Sequence, residues 1–87
     1  MTDNQTRVVH CKKHLYDVYI GRPSKWGNPF VIGRDGNRDE VIEKYRSWVK
    51  ANPGLMAEVK SLKGKVLGCW CAPEPCHGDV LKELADD

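Results

Sequence analysis

The stretch K-V-L-G-C-W-C-A-P-E-P-C-H-G-D-V-L, Lys65 to Leu81, decides how this 87-residue chain is read. Its first part, Lys65–Cys71, is a short apolar run, the pattern of a strand buried on both faces. From about Cys76 to Ala85 the pattern changes to helical spacing, with Val80, Leu81 and Leu84 on one side. A strand that feeds a loop and then a helix points to an α/β layer fold with Val66–Trp70 as a central strand. In open sheets of this kind the ligand crevice lies outside the carboxyl ends of the strands. Here that crevice would hold Cys71, where the strand ends, and Cys76-His77-Gly78, where the helix begins.

The rest of the chain supplies the other layers. A β-rich run lies at Arg7–Cys11, and Tyr16, Val18 and Ile20 alternate with polar neighbours as a half-buried strand does. The segment G-R-P-S-K-W-G-N-P-F-V-I-G-R-D-G-N then has four glycines and two prolines in seventeen residues, a long structured loop with a brief strand at Phe30–Ile32. Asn37 with Glu40 three residues on forms a capping-box pattern, and Val41, Ile42, Tyr45, Trp48 and Val49 make one apolar helical stripe. Asn52-Pro53 stops that helix and opens a second, which carries Leu55, Met56, Val59 and Leu62 and ends at Gly64. The expected architecture is one small Rossmann-like α/β domain over residues 1–87, a three- to four-stranded sheet packed with about three helices. Residues 1–6 are expected to be flexible and residues 84–87 to fray.

Composition narrows the function classes. A net charge of +2 is too small to imply nucleic-acid binding by itself. Its distribution is more telling: residues 1–38 hold seven Lys/Arg against three Asp/Glu, and residues 39–87 hold seven against nine. The basic half invites an anionic partner. The N-terminus M-T-D-N-Q-T-R-V-V has no signal-peptide pattern, and no apolar stretch approaches the ~20 residues of a membrane span. These features predict a cytoplasmic protein that needs no membrane. In a reducing compartment, four cysteines favour catalysis, metal binding or plain burial over a disulfide framework.

Three of the four cysteines and one of three histidines fall within the nine residues Cys69–His77. A helix N-terminus lowers a thiol's pKa and attracts anions. Cys76 is therefore the expected reactive thiol, with His77 as a base or proton donor and Cys71 as the other candidate nucleophile. Cys69, interior to the strand, is expected to be inert. A competing reading gives the same residues to zinc, with Cys69, Cys71, Cys76 and His77 as ligands and His10, Cys11 and His14 as distant donors. Its spacing, C-x-C-x4-C-H, is tighter than common zinc motifs. The C-x4-C-H run is a stretched form of the C-x-x-C-H haem signature, but haem attachment usually needs export, and the export signal is missing.

The loop supplies a second constellation. Arg22 and Lys25 are cations, Trp26 offers a flat stacking surface, and Asn28 carries a bidentate amide. With the Cys76–Gly78 amides they are the components for holding a phosphate and a ring, as a nucleotide-like anion would present. Arg22, read as a surface cation, is expected to matter for binding and hardly for stability. The bland alternative for Trp26 is a tryptophan that plugs the core.

V-Y-I-G-R-P-S-K-W-G-N-P-F followed by K-V-L-G-C-W-C-A-P-E-P-C-H-G-D-V-L resembles a family of small bacterial and phage proteins catalogued as domain of unknown function 4326. The resemblance runs from about Val8 to Leu84. It implies that the W-G-N-P loop and the C-W-C…C-H-G segment adjoin one shared site, and it brings no established activity. Two function classes remain. One is a pocket for a nucleotide-like anion, acted on through Cys76 or Cys71 with His77. The other is a zinc-stapled module that grips nucleic acid or a protein partner, for example as an inhibitor of a host system. No Walker loop, G-x-G-x-x-G, H-E-x-x-H or G-x-S-x-G is present, so the familiar enzyme classes find no support.

Overall fold

Three short strands run parallel in the order β1-β3-β2: β1 at Arg7–His10, β2 at Val18–Tyr19 and β3 at Val66–Cys69. The structure, a computed structural model, describes residues 6–71 and 74–87. Between β2 and β3 come helix α1 (Arg38–Lys50), helix α2 (Pro53–Val59) and a 3-10 turn at Lys60–Leu62, and helix α3 (His77–Asp86) closes the chain. The expected class, a small α/β domain with a three-stranded sheet and three helices, is what the chain forms, and β3 is the central strand.

The connection of residues 11–17 carries the chain from one sheet edge to the other. Parallel neighbours usually need a longer crossover. This one suffices because the strands are only four and two residues long and the path runs directly over β3. Tyr16 lies on Gly68, where an added Cβ would come within 2.6 Å of the ring, so Gly68 is the residue that permits the crossing. Asp17 then fixes the start of β2: its N–H donates to the Val66 carbonyl at 2.7 Å and its carboxylate accepts from the Val66 N–H at 2.8 Å. The strand expected over Tyr16–Ile20 is accordingly just two residues, because Tyr16 and Asp17 are spent on the crossing. The expected strand at Phe30–Ile32 is reduced to a single bridge between Ile32 and Gly36.

The helices start where their caps stand. Asn37 Oδ1 accepts from the Glu40 N–H at 2.9 Å, and Glu40 Oε1 accepts from the Asn37 N–H at 2.8 Å. Asn52 caps α2 with Pro53 at its first position, and Gly64 leaves the following turn at φ 79°. Alternation along β3 sends Leu67 and Cys69 into the helical layer, where they join Tyr45, Val49, Val80 and Leu81 in one buried cluster. Gly78 presses the start of α3 onto the sheet, since a Cβ there would lie 2.8 Å from Ile20 and 3.0 Å from Val8.

Both chain ends bear on this core. The expected flexible N-terminal stretch falls outside the described residues except for Thr6, which is fully buried. Its hydroxyl donates to Asp86 at 2.6 Å and accepts from the Gly64 N–H at 2.9 Å. At the other end, where fraying is the expectation, Leu84 and Ala85 are buried and the Asp87 carbonyl accepts from Lys60 at 2.7 Å. No helix is long and apolar enough to cross a membrane among the described residues.

Candidate ligand pocket

A cavity of about 340 Å³ opens at the carboxyl ends of β2 and β3. The loop after β2 gives it Arg22, Asn28 and the Phe30–Ile32 wall. The start of α1 gives Arg38, Val41 and Ile42, and the segment leading into α3 gives Trp70, Cys71, Pro75, Cys76 and His77. This is the crevice expected for an open parallel sheet. The helix starts at Arg38 and His77 both border it, with the positive ends of two helix dipoles. Its walls are mostly apolar. Two guanidinium groups supply its charge, and no carboxylate side chain lines it among the described residues.

The arginines are held by the backbone they brace. Arg22 Nε donates to the Asn28 carbonyl at 2.8 Å and Nη2 to the Phe30 carbonyl at 3.0 Å, which clasps the loop onto itself. Arg38 Nη1 donates to the Pro75 carbonyl at 2.9 Å and ties α1 to the approach to α3. Arg22 Nη1 and the Nε and Nη2 of Arg38 have no partner among the described residues. Fixed guanidinium groups with spare donors suit an anion well. Arg22 is exposed, as expected of a surface cation, and its clasp adds two bonds to loop carbonyls that its removal would give up.

The loop residues divide between pocket and core. Asn28 lines the cavity, but its amide is already used: Oδ1 accepts from the Phe30 N–H at 2.8 Å and Nδ2 donates to the Val41 carbonyl at 3.4 Å. Trp26 is 4% exposed and packed in the core, so the plug reading holds and the stacking role fails for this residue. Tyr45 Oη donates to the Trp26 carbonyl at 2.7 Å and anchors the loop over α1. Lys25 lies over the Trp26 ring and pairs with Glu58 of α2, and neither Lys25 nor Trp26 lines the cavity. The indole that does is Trp70, which is 55% exposed. Its Nε1 donates to Tyr19 Oη at 2.8 Å, and Tyr19 Oη donates to the Arg22 carbonyl at 2.9 Å, so the exposed ring has a fixed mount.

Cys76 stands at the helix start, but its surroundings favour the thiol over the thiolate. It is 3% exposed, and its sulfur sits 3.3 Å from that of Cys69 and 3.3 Å from the Gly78 N–H. The Cys69 contact, then burial, push the thiol far above its ordinary range and outweigh the bond from the helix amide. Cys76 is instead the N-cap of α3: its sulfur takes the Gly78 N–H, and its own N–H donates to Asp79 at 3.1 Å. Two of the amides expected to cradle an anion are thus already engaged, and Gly78 serves close packing against the sheet. Cys71 lines the cavity half-buried and is the accessible thiol of the three.

His77 is buried in the cavity wall, edge-on to Tyr45 at 5.1 Å between ring centroids. Nε2 lies 2.6 Å from the Ile20 carbonyl, which only accepts, so Nε2 carries the proton. Burial, with a smaller push from the Arg22 charge, holds the ring below its ordinary range, so it is neutral at pH 7. Nδ1 is then a free acceptor. No fully buried side-chain nitrogen or oxygen lacks a partner among the described residues, so unpartnered Nδ1 is not fully buried, and His77 lines the cavity. The zinc reading finds no support in this arrangement. His77 is turned to a carbonyl, and no group of three or more His, Cys, Asp or Glu is placed to hold a metal among the described residues. His10, Cys11 and His14 do not line the cavity, and His10 meets the Trp70 ring edge-on.

Sequence reasoning missed Trp70 and Arg38. Alternation sets Trp70 on the opposite face from Cys69 and Cys71, at the very end of the central strand where a crevice opens. Arg38 is the first residue after the recognised cap of α1, so its position beside a dipole end was also readable.

Comparison with known proteins agrees with this picture of a family without an assigned activity. The family model described as "Domain of unknown function (DUF4326)" matches residues 4–87. An uncharacterized 12.4 kDa protein of Enterobacteria phage T4, in the nrdA-td intergenic region, is 36% identical over 85 residues. That match covers 92% of this chain and 77% of the phage protein. An uncharacterized protein of Acanthamoeba polyphaga mimivirus is 37% identical over 86 residues, which cover 78% of this chain and 65% of the viral protein. No solved structure matches the chain.

Proposed function

We propose that this chain, which belongs to the DUF4326 family, binds a small anion that carries a flat ring, of the nucleotide type, in the pocket beside Trp70. One observation carries the reading. Arg22 and Arg38 present spare N–H donors at a 340 Å³ cavity whose remaining wall is apolar and includes a rigidly mounted, half-exposed indole. Such a site divides its ligand in two. The arginines and the two helix starts favour negative charge, and Trp70 with Phe30 and Ile32 favours a ring. His77 Nδ1 adds an acceptor for a donor on that ring.

The reading is one of binding. Contact with Cys69 and burial push the Cys76 thiol up, which argues against a nucleophile at that position and leaves Cys71 as the thiol beside the ligand. A thermal-shift screen tests the proposal with nucleoside 5′-monophosphates, the free nucleosides and inorganic phosphate. A ligand at a hundred times its Kd stabilises by ~2.7 kcal/mol, or a shift of roughly 10–20 °C in a domain of this size. A nucleotide should shift the melting temperature, while phosphate alone or nucleoside alone should shift it far less. Arg38→Ala should remove the shift and leave the unliganded melting temperature almost unchanged, because it gives up one exposed bond. No shift with any nucleotide at millimolar concentration would end the proposal.

A further inference from the structure

We infer that the nucleotide taken by the pocket is part of a single strand, and that the strand runs out of the pocket over the loop of residues 11–17. This inference rests on the pocket reading above and names its ligand class. The observation is an exposed aromatic and basic surface that adjoins the cavity through Trp70 and serves no part of the core.

Trp70 borders the cavity on one side. Beyond it, Lys12 Nζ lies 5.5 Å from the indole centroid and His10 meets the ring edge-on at 5.7 Å. Tyr19 receives the indole N–H, and Tyr16 stands 6.2 Å from Tyr19, itself 43% exposed. These rings form a contiguous path away from the pocket. A core explanation does not cover it, since none of these rings belongs to the buried cluster or packs against it.

Charge selects the occupant. From Arg7 to Lys25 the chain has five Lys/Arg and a single acid, Asp17, whose carboxylate accepts from the Val66 N–H. Lys25 is engaged with Glu58, so Lys12, Lys13 and Arg22 are the cations beside the aromatic path. Fixed, exposed aromatic rings flanked by cations are what sequence-tolerant single-strand binding uses: the rings take unstacked bases and the cations follow the phosphates. A protein partner would need carboxylates set against each cation, whereas every nucleotide of a strand brings both a phosphate and a ring. A duplex keeps its bases stacked and hidden from the rings.

The test compares a fluorescent oligothymidine of roughly 12 nucleotides with thymidine 5′-monophosphate and with the same oligonucleotide annealed to its complement. Anisotropy reads the labelled strands, and competition reads the monophosphate. The oligothymidine should bind at least tenfold tighter than the monophosphate and tighter than the duplex. With three cations on the backbone, its affinity should fall with salt at a log–log slope of about −2. Trp70→Ala should weaken strand binding by about 5- to 150-fold, the range for loss of one stacked base. Lys12→Ala with Lys13→Ala, both exposed positions, should weaken it too and flatten the salt slope by about 1. Monophosphate binding with no gain for the oligothymidine would overturn this inference and leave the pocket reading standing. Equal binding of duplex and single strand would overturn it as well, since charge alone would then account for the affinity. Failure of every nucleotide would remove the pocket reading itself.

Discussion

Truncating Trp26 and truncating Trp70 should cost very different amounts of stability, and the contrast checks the division between core and pocket. Trp26 is 4% exposed and sits among the buried cluster residues, so Trp26→Ala empties a large volume under the loop. Core truncations of this size cost ~3–5 kcal/mol. A chain of this length has a total stability of roughly 4–13 kcal/mol, so the variant loses between a quarter and all of it. At about 4–8 °C per kcal/mol the melting temperature should fall by roughly 12–40 °C. Trp70 is 55% exposed and gives up one bond to Tyr19, so Trp70→Ala should cost only about 1 kcal/mol. Urea titration followed by far-ultraviolet circular dichroism measures both without relying on the altered fluorophore. The reasoning is refuted if Trp26→Ala stays within about 1 kcal/mol of the native protein while Trp70→Ala is the one that unfolds. That outcome would return Trp26 to the ligand and make the Trp70 mount a packing device.

The cysteines and His77 carry two further expectations. In the native protein at neutral pH, mass-spectrometric mapping of alkylation should find Cys11 and Cys71 modified and Cys69 and Cys76 protected, because the latter pair is buried with its sulfurs in contact. Rapid native-state modification of Cys76 would contradict its role as the cap of α3. His77 is held below its ordinary pKa of 6.5 in the folded state, chiefly by burial. The unfolded chain therefore takes up a proton near pH 6.5 that the folded one refuses, and stability present above that pH is lost as the pH falls. Melting temperatures measured from pH 7.5 down to 5 should decline, and His77→Gln, which keeps a donor for the Ile20 carbonyl, should flatten the decline. An unchanged slope in that variant would assign the acid sensitivity elsewhere.

The fold was legible where a local rule settles the matter. Asn37 with Glu40 marked the start of α1, and Asn52-Pro53 and Gly64 marked the limits of α2 and its 3-10 extension, because caps and proline act within a turn of the chain. The apolar run at Val66–Cys69 marked the central strand because a strand flanked on both sides needs no polar face. The two-residue β2 was not legible. Alternation from Tyr16 to Ile20 says which side each residue faces and is silent on where pairing begins. Pairing begins late because residues 11–17 must first pass over Gly68, a fact of topology that no period records.

The site shows the same limit in its chemistry. The sequence placed a cysteine at a helix N-terminus, and the general rule for that position is a lowered pKa. The rule assumes the thiol faces the amides from a polar medium. Here Cys69 on β3 meets Cys76 from the opposite side, and contact with that second sulfur, then burial, favours the neutral thiol. Which influence wins depends on the distance between two residues seven apart in sequence, set by how closely α3 approaches the sheet. Gly78 sets that approach, and it does so by lacking a side chain. The glycine read from the sequence as a ligand contact is therefore the residue that brings Cys76 against Cys69 and so favours the thiol at the cavity wall. The proposed recognition of an anion and a ring then rests on the two arginines, His77 and Trp70, with Cys71 the accessible thiol beside them.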